Sequence, residues 1–186
     1  MGVNAAGLLA AVTNRPEADV DTARRSRGLL CLECLRCASP AMAHVFVADE
    51  LAERRYNALN LLCANADEGW VASGPGDIRT LTPGVHVLSN FGDLDDDRLP
   101  VVREVRDRVA ALPLDAPDVE TLLDGLGRVC AATDGAVPLC RAGDEYGTVS
   151  SSVIAVDHDG RLAAYRHAPR PPCERAFAPV IASARE

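Results

Sequence analysis

The chain contains no lysine: all 19 cationic side chains in its 186 residues are arginine. That excludes a Schiff-base lysine and a Walker-type phosphate lysine within these residues. Positive charge is also scarce. With 27 carboxylates the formal net charge is -8, and a nucleic-acid backbone selects a basic face, so no nucleic-acid partner is expected. No apolar run approaches the roughly 20 residues that span a bilayer. No signal-peptide pattern opens the chain, and Ala6 stands where N-myristoylation takes Ser or Thr. The seven cysteines are odd in number and unevenly spaced, which gives no disulfide framework and predicts a reduced, cytoplasmic protein. No low-complexity stretch divides the chain, so one domain over residues 1–186 is expected.

What is present reads as a mixed succession of elements. Leu8 to Val12 is an unbroken apolar run bounded by Gly7 and by Asn14-Arg15-Pro16, as in a strand covered on both faces. Arg15 to Ser26 is polar and reads as a loop whose arginines suit an anion or simply water. Leu29 to Ala38 leaves only Glu33 and Arg36 polar, predicting a mostly buried helix. Ser39-Pro40 caps a second helix, from Ala41 to about Arg54. Strands follow at Tyr56 to Ala64, Gly69 to Ser73, Ile78 to Leu81 and Val85 to Ser89, the last running into Asn90. Pro100 opens a helix with Val101, Val105, Val109 and Leu112 on its inner face, and Asp118 to Ala131 makes another. Tyr146 to Val156 and Arg161 to Tyr165 form a hairpin around Asp157-His158-Asp159-Gly160. After the Pro-rich break from Pro169 to Cys173, Phe177 to Ala182 adds a last strand. The expected class is α+β, with helical layers on mainly antiparallel sheets.

Three constellations invite metal chemistry. Cys31, Cys34 and Cys37 are spaced three apart, but on a helix such positions drift around the axis, so their thiolates do not converge on one ion. Buried cysteines acting as small hydrophobes is the plainer account. Asp93, Asp95, Asp96 and Asp97 precede the helix at Pro100, where its dipole explains them without calcium. His86 falls in the strand beside Asn90, His158 in the hairpin turn, and His44 and His167 stand alone. Any of the four could ligate haem iron, and none is singled out. No metal site is assigned.

The segments GVNAAGLLAAVTNRP, SRG, YNALNLL, HVLSN and YGTVSSSVIAVDHDG occur in that order between Gly2 and about Arg166. Together they resemble the NRDE family, also called the Transport and Golgi organisation 2 family. The resemblance implies an N-terminal-nucleophile-hydrolase-like αββα four-layer sandwich. Family members begin with a cysteine after the initiator Met and an Asn-Arg-Asp-Glu motif. This chain is expected to lack both, together with the first strands of the sandwich. In the hydrolase relatives that cysteine is the nucleophile and its free amino group the base; Gly2 supplies no thiol. Val149 also replaces a common arginine.

By the same resemblance Asn14 and Asn90 fall near the two asparagines that donate to an oxyanion in choloylglycine-type hydrolases. The plain alternative is that both are strand-end turn residues. With Arg15, Arg27, Asn57 and Ser151 they make the candidate pocket. The expected function is non-catalytic binding or trafficking of a small hydrophobic ligand, either haem as cargo or an acyl or lipid metabolite. The alternative is an amide hydrolase or acyltransferase whose nucleophile is encoded upstream. An open edge at Leu8 to Val12 would also favour a homodimer.

Overall fold

The computed structural model describes the chain except residues 17–19, 75, 115–117, 144–145 and 181–186. Its elements gather into two compact units, residues 1–99 with 156–161, and residues 100–155 with 162–186.

The first unit is built on a five-stranded antiparallel sheet: β1 (Gly2–Val3), β2 (Leu9–Asn14), β3 (Leu59–Ala64), β4 (Gly69–Gly74) and β5 (Asp77–Thr80), paired in that order. Directly opposed residues of an antiparallel pair share a face. Ala10, Cys63 and Trp70 thus form one row and Val12, Leu61 and Ala72 the next. This is the face that α1 (Arg27–Cys34) and α2 (Pro40–Glu53) cover, burying Leu30, Cys34, Ala43, Val47 and Leu51 against it. Ser26 and Ser39 cap the two helices by accepting from Leu29 N and Met42 N. Trp70 Nε1 donates to Pro40 O at 2.8 Å, which fixes the start of α2 over the sheet. The opposite face carries Ala11, Leu62 and Val71, and then Thr13 beside Asn60.

Several expectations change here. Helix α1 is not buried nearly all round: Leu29 and Leu32 are 51% and 60% exposed. A helix lying on one sheet buries only the stripe that repeats every 3.6 residues, and that stripe is Leu30, Cys31 and Cys34. Val85 to Ser89 is no strand; its only ladder contact is the bridge Leu88 to Leu94. Asp95 takes the partner's place, accepting from Val87 N at 2.8 Å and lying 2.7 Å from His86 Nδ1. His86 therefore belongs to a loop. The outer edge of β2 is paired only at Leu9 and Ala10, where β1 reaches.

The second unit holds α3 (Pro100–Ala110), α4 (Val119–Cys130) and a three-stranded sheet of β6 (Ser151–Val156), β7 (Leu162–Ala168) and β8 (Ala178–Pro179). Asp118 caps α4 by accepting from Thr121 N at 2.7 Å. Val102 and Val109 are the buried valines of α3, so its inner stripe is centred on Val102 rather than Val101. The glycines of α4 are packing points. A Cβ on Gly125 would stand 2.9 Å from Leu112, and Gly127 lies against the Phe177 ring. Strand β6 begins at Ser151, five residues later than expected; of the strand expected over Phe177 to Ala182, β8 forms at Ala178–Pro179, and residues 181–182 lie outside those described.

Cys140 and Cys173 are joined by a disulfide, with Cα atoms 6.1 Å apart. This corrects the expectation of seven reduced thiols, since residues 33 apart in sequence give no sign of their proximity. Among the described residues no helix is long and apolar enough to cross a membrane.

Candidate functional site

In the first unit one end of the sheet is organised by a buried amide. Asn60, in the apolar stretch Leu59-Asn60-Leu61-Leu62 of β3, is 0% exposed, a position that costs free energy unless its polar atoms are paired. They are. Its Nδ2 donates to Ser89 O at 3.0 Å and Gly92 O at 3.2 Å. Its Oδ1 accepts from Ser73 Oγ at 3.0 Å and Arg15 Nη1 at 3.3 Å. The same Arg15 nitrogen reaches Asp93 at 2.9 Å. Asn60 thus ties the loop that carries Asn90 to the end of the sheet. Opposite it, Thr13 Oγ1 is buried with no hydrogen-bond partner among the described residues.

A second polar cluster forms where α2 ends. Glu50, 8% exposed, receives Arg25 Nη1, the Tyr56 hydroxyl at 2.5 Å and Arg54 Nε at 3.1 Å. Arg25 Nη1 also donates to the Tyr56 oxygen at 2.8 Å, and its Nη2 to Glu33 at 2.6 Å. Burial alone would raise the Glu50 pKa. The Tyr56 hydrogen bond and the charges of Arg25 and Arg54 outweigh it and hold this carboxyl below its ordinary range. Burial, with the proton given to Glu50, pushes the Tyr56 phenol from 10.0 to about 12. The hydrogen bonds to Glu33 and Tyr56 raise the Arg25 guanidinium further.

Between these clusters lies a groove of about 790 Å³, within the usual size of small-molecule sites. Its apolar wall includes Leu51, Ala52, Ala58 and Leu59, and its polar wall Arg24, Arg54, Arg55 and Glu53. Ser73, which holds Asn60, and Tyr56, which holds Glu50, also line it.

Of the six residues singled out from sequence, Asn57 lines this groove, and Arg15, Arg27 and Asn14 pair with its lining residues Ala58 and Leu59. Asn57 lines it, 9% exposed, with both ends of its amide engaged: Nδ2 donates to Asp21 O at 2.8 Å and Oδ1 accepts from Asp21 N at 3.1 Å. Arg27 Nη1 donates to Ala58 O at 2.8 Å, and Arg15 N donates to the same carbonyl at 3.0 Å. Asn14 pairs with Leu59 in register, on the helix-covered face, and its side chain is exposed. The loop with Asn90 is held on the other face through Asn60. Neither Asn14 nor Asn90 has a side-chain hydrogen bond among the described residues. Ser151 lies in the second unit at the start of β6, next to Ser152, whose Oγ is 2.9 Å from His167 Nδ1.

Sequence reasoning missed Asn60, Glu50, Tyr56, Arg54 and Arg55, and marked Arg25 only as one of the loop arginines suited to an anion or water. A signal existed for Asn60 alone, an amide inside an otherwise apolar strand. The cysteine spacing carries no site: Cys31 and Cys34 are 3% and 0% exposed, and burial is the first cause that raises the Cys31 thiol. Contact with Cys34, then burial, raises the Cys63 thiol. The aspartates instead hold their loop together, Asp93 with Arg15, Asp95 with His86 and Asp96 with Arg98. Among the described residues no group of three His, Cys, Asp or Glu is placed to hold a metal ion.

The family profile described as Transport and Golgi organisation 2 matches residues 1–134. No curated protein matches the chain.

Proposed function

The chain belongs to the Transport and Golgi organisation 2 family, and from that premise we propose that it binds a small hydrophobic ligand without transforming it, in the groove beside Asn57 to Leu59. The observation that carries this reading is the convergence of Asn14, Arg15, Arg27 and Asn57 on one strand entry that also lines a 790 Å³ groove. Non-catalytic binding is supported by the lining. The Ser73 hydroxyl in it donates to Asn60 rather than to a base. Each unit by itself combines two helices with one sheet, in keeping with the α+β class.

Of the two ligand classes, the groove favours an acyl or lipid metabolite over haem. Iron in proteins is held by His, Cys, Met or a tyrosinate. Tyr56 is the one such residue in the lining, and a phenol titrating at about 12 with its oxygen between Glu50 and Arg25 is a poor ligand. Two titrations test this. Nile red, an uncharged apolar dye, should brighten on binding the wild-type chain but not an Ala52→Trp variant, in which an indole fills the groove. Haem should keep the Soret band of haem bound nonspecifically. Equal dye binding by both chains would remove the groove from the account, and a shifted Soret band lost in Tyr56→Phe would restore haem.

A further inference from the structure

The groove's charge does not match the charge of the chain. In a polypeptide of net charge -8, its lining among the described residues gathers three guanidiniums, Arg24, Arg54 and Arg55, with the carboxylate of Glu53. They are not equivalent. Arg24 is committed to the backbone, donating from Nη1 to Tyr56 O at 3.0 Å, and pairs with Asp21 at 3.6 Å. Arg54 is anchored from one side, its Nε 3.1 Å from the Glu50 carboxylate. Arg55 is exposed and has no ion-pair partner among the described residues. Beside them the lining includes the exposed Ala52 and half-buried Ala58, with Leu51 and Leu59 buried behind at 5% and 2% exposure.

An anchored guanidinium and an uncommitted one lining the same groove can together receive an oxyanion. A guanidinium presents several N–H donors in a fixed fork, and one contact to Glu50 leaves donors for a second acceptor. Glu50 cannot serve as that partner for Arg55 as well, because it already receives Arg25, Tyr56 and Arg54. We propose that the groove takes an amphiphilic anion, a carboxylate or phosphate head held by Arg54 and Arg55 with a short apolar tail against Ala52 and Ala58. This rests on the groove being the ligand site, and it adds the charge and orientation of what enters.

The competing account is that both arginines only offset the helix dipole, since Arg54 is the C-cap of α2. Displacement of Nile red by decanoate, decyl phosphate and decanol separates the two, because the three share a tail and differ in the head. Both anions should displace the dye at least about tenfold more effectively than the alcohol, the size expected of one or two charge-assisted hydrogen bonds. Added salt should narrow that preference. Arg55→Gln should erase most of it while leaving decanol unchanged. Arg79→Gln, which removes the same charge from β5 outside the groove lining, should leave it intact.

Equal displacement by all three compounds would overturn the anion site while leaving apolar binding in place. An Arg55→Gln chain of lower thermal stability with an unchanged preference would overturn it in favour of the dipole account. If Nile red does not bind the wild-type chain, the groove reading and this proposal fail together.

Discussion

The two units hold themselves together by different means. The first packs thirteen buried residues, from Leu8 to Ala72, between two helices and one face of a five-stranded sheet, and closes the sheet's end with the fully paired amide of Asn60. The second buries fewer and smaller side chains, among them Val102, Val109, Leu123, Val129 and Val153, and adds the Cys140–Cys173 bond. A thin core gains most from a covalent staple, because the bond removes conformations from the unfolded chain. A full core can hold polar groups in fixed positions, and the groove lies in that unit. Buried polarity, where it is satisfied, fixes geometry that a purely apolar core leaves open.

Severing the staple should have the largest effect. Replacing Cys140 and Cys173 by serine removes a 33-residue loop closure and should cost about 3–4 kcal/mol. Hydrogen exchange should show the loss in α4 and β6 to β8, with protection in β2 to β4 retained. Equal loss of protection in both would break the comparison.

Asn60→Ala should cost about 2–3 kcal/mol, since it removes the partner of the Ser73 hydroxyl and of the Ser89 and Gly92 carbonyls, while Arg15 keeps Asp93. Its effect should fall on the first unit and the loop at Asn90, read as faster exchange there. Tyr56→Phe should cost about 1–2 kcal/mol through the lost hydrogen bond to Glu50.

The Glu50 cluster also predicts a pH dependence that the Asn60 network lacks. Because the folded-state pKa of Glu50 is depressed, its contribution is present above the ordinary value near 4.5 and is lost as pH falls through the folded value. For Tyr56 the shift is upward, so its contribution holds below pH 10.0 and disappears as pH rises through about 12. Denaturant titrations of Glu50→Gln should show a flatter acid limb than wild type. An unchanged acid limb would remove Glu50 as the sensitive group.

Thr13→Val has the smallest expected effect and the opposite sign. Exchanging a buried hydroxyl without a partner for a methyl group should leave stability unchanged or raise it by up to about 1 kcal/mol.

The parts legible in the sequence are those fixed by local chemistry. Ser39-Pro40 and Asp118 mark the starts of α2 and α4, and Asp157 to Gly160 form the turn that their types demand, with Gly160 at φ 75°. The apolar run at β2 and its partner β3 were equally plain. What was hidden depends on distant pairing. The missing strand at Val85 to Ser89 reflects Asp95, eight residues from Val87, capturing backbone that would otherwise ladder. The disulfide joins cysteines whose approach only the fold decides.

The candidate site divides the same way. Asn14 was noticed because it ends a strand, yet register sends it to the helix-covered face, whereas Asn60, one position along on β3 from its partner Leu59, occupies the other. The Arg25, Glu50 and Tyr56 cluster draws on a loop, a helix and a strand entry, with no spacing in the sequence to announce it.

The most direct measurement is an amide chemical-shift map of the full chain titrated with decanoate. The account predicts saturable shifts confined to Leu51 to Leu59 and Ser73, with the largest at Arg54 and Arg55. Shifts centred on β6 to β8, or none up to the solubility limit of the acid, would contradict it.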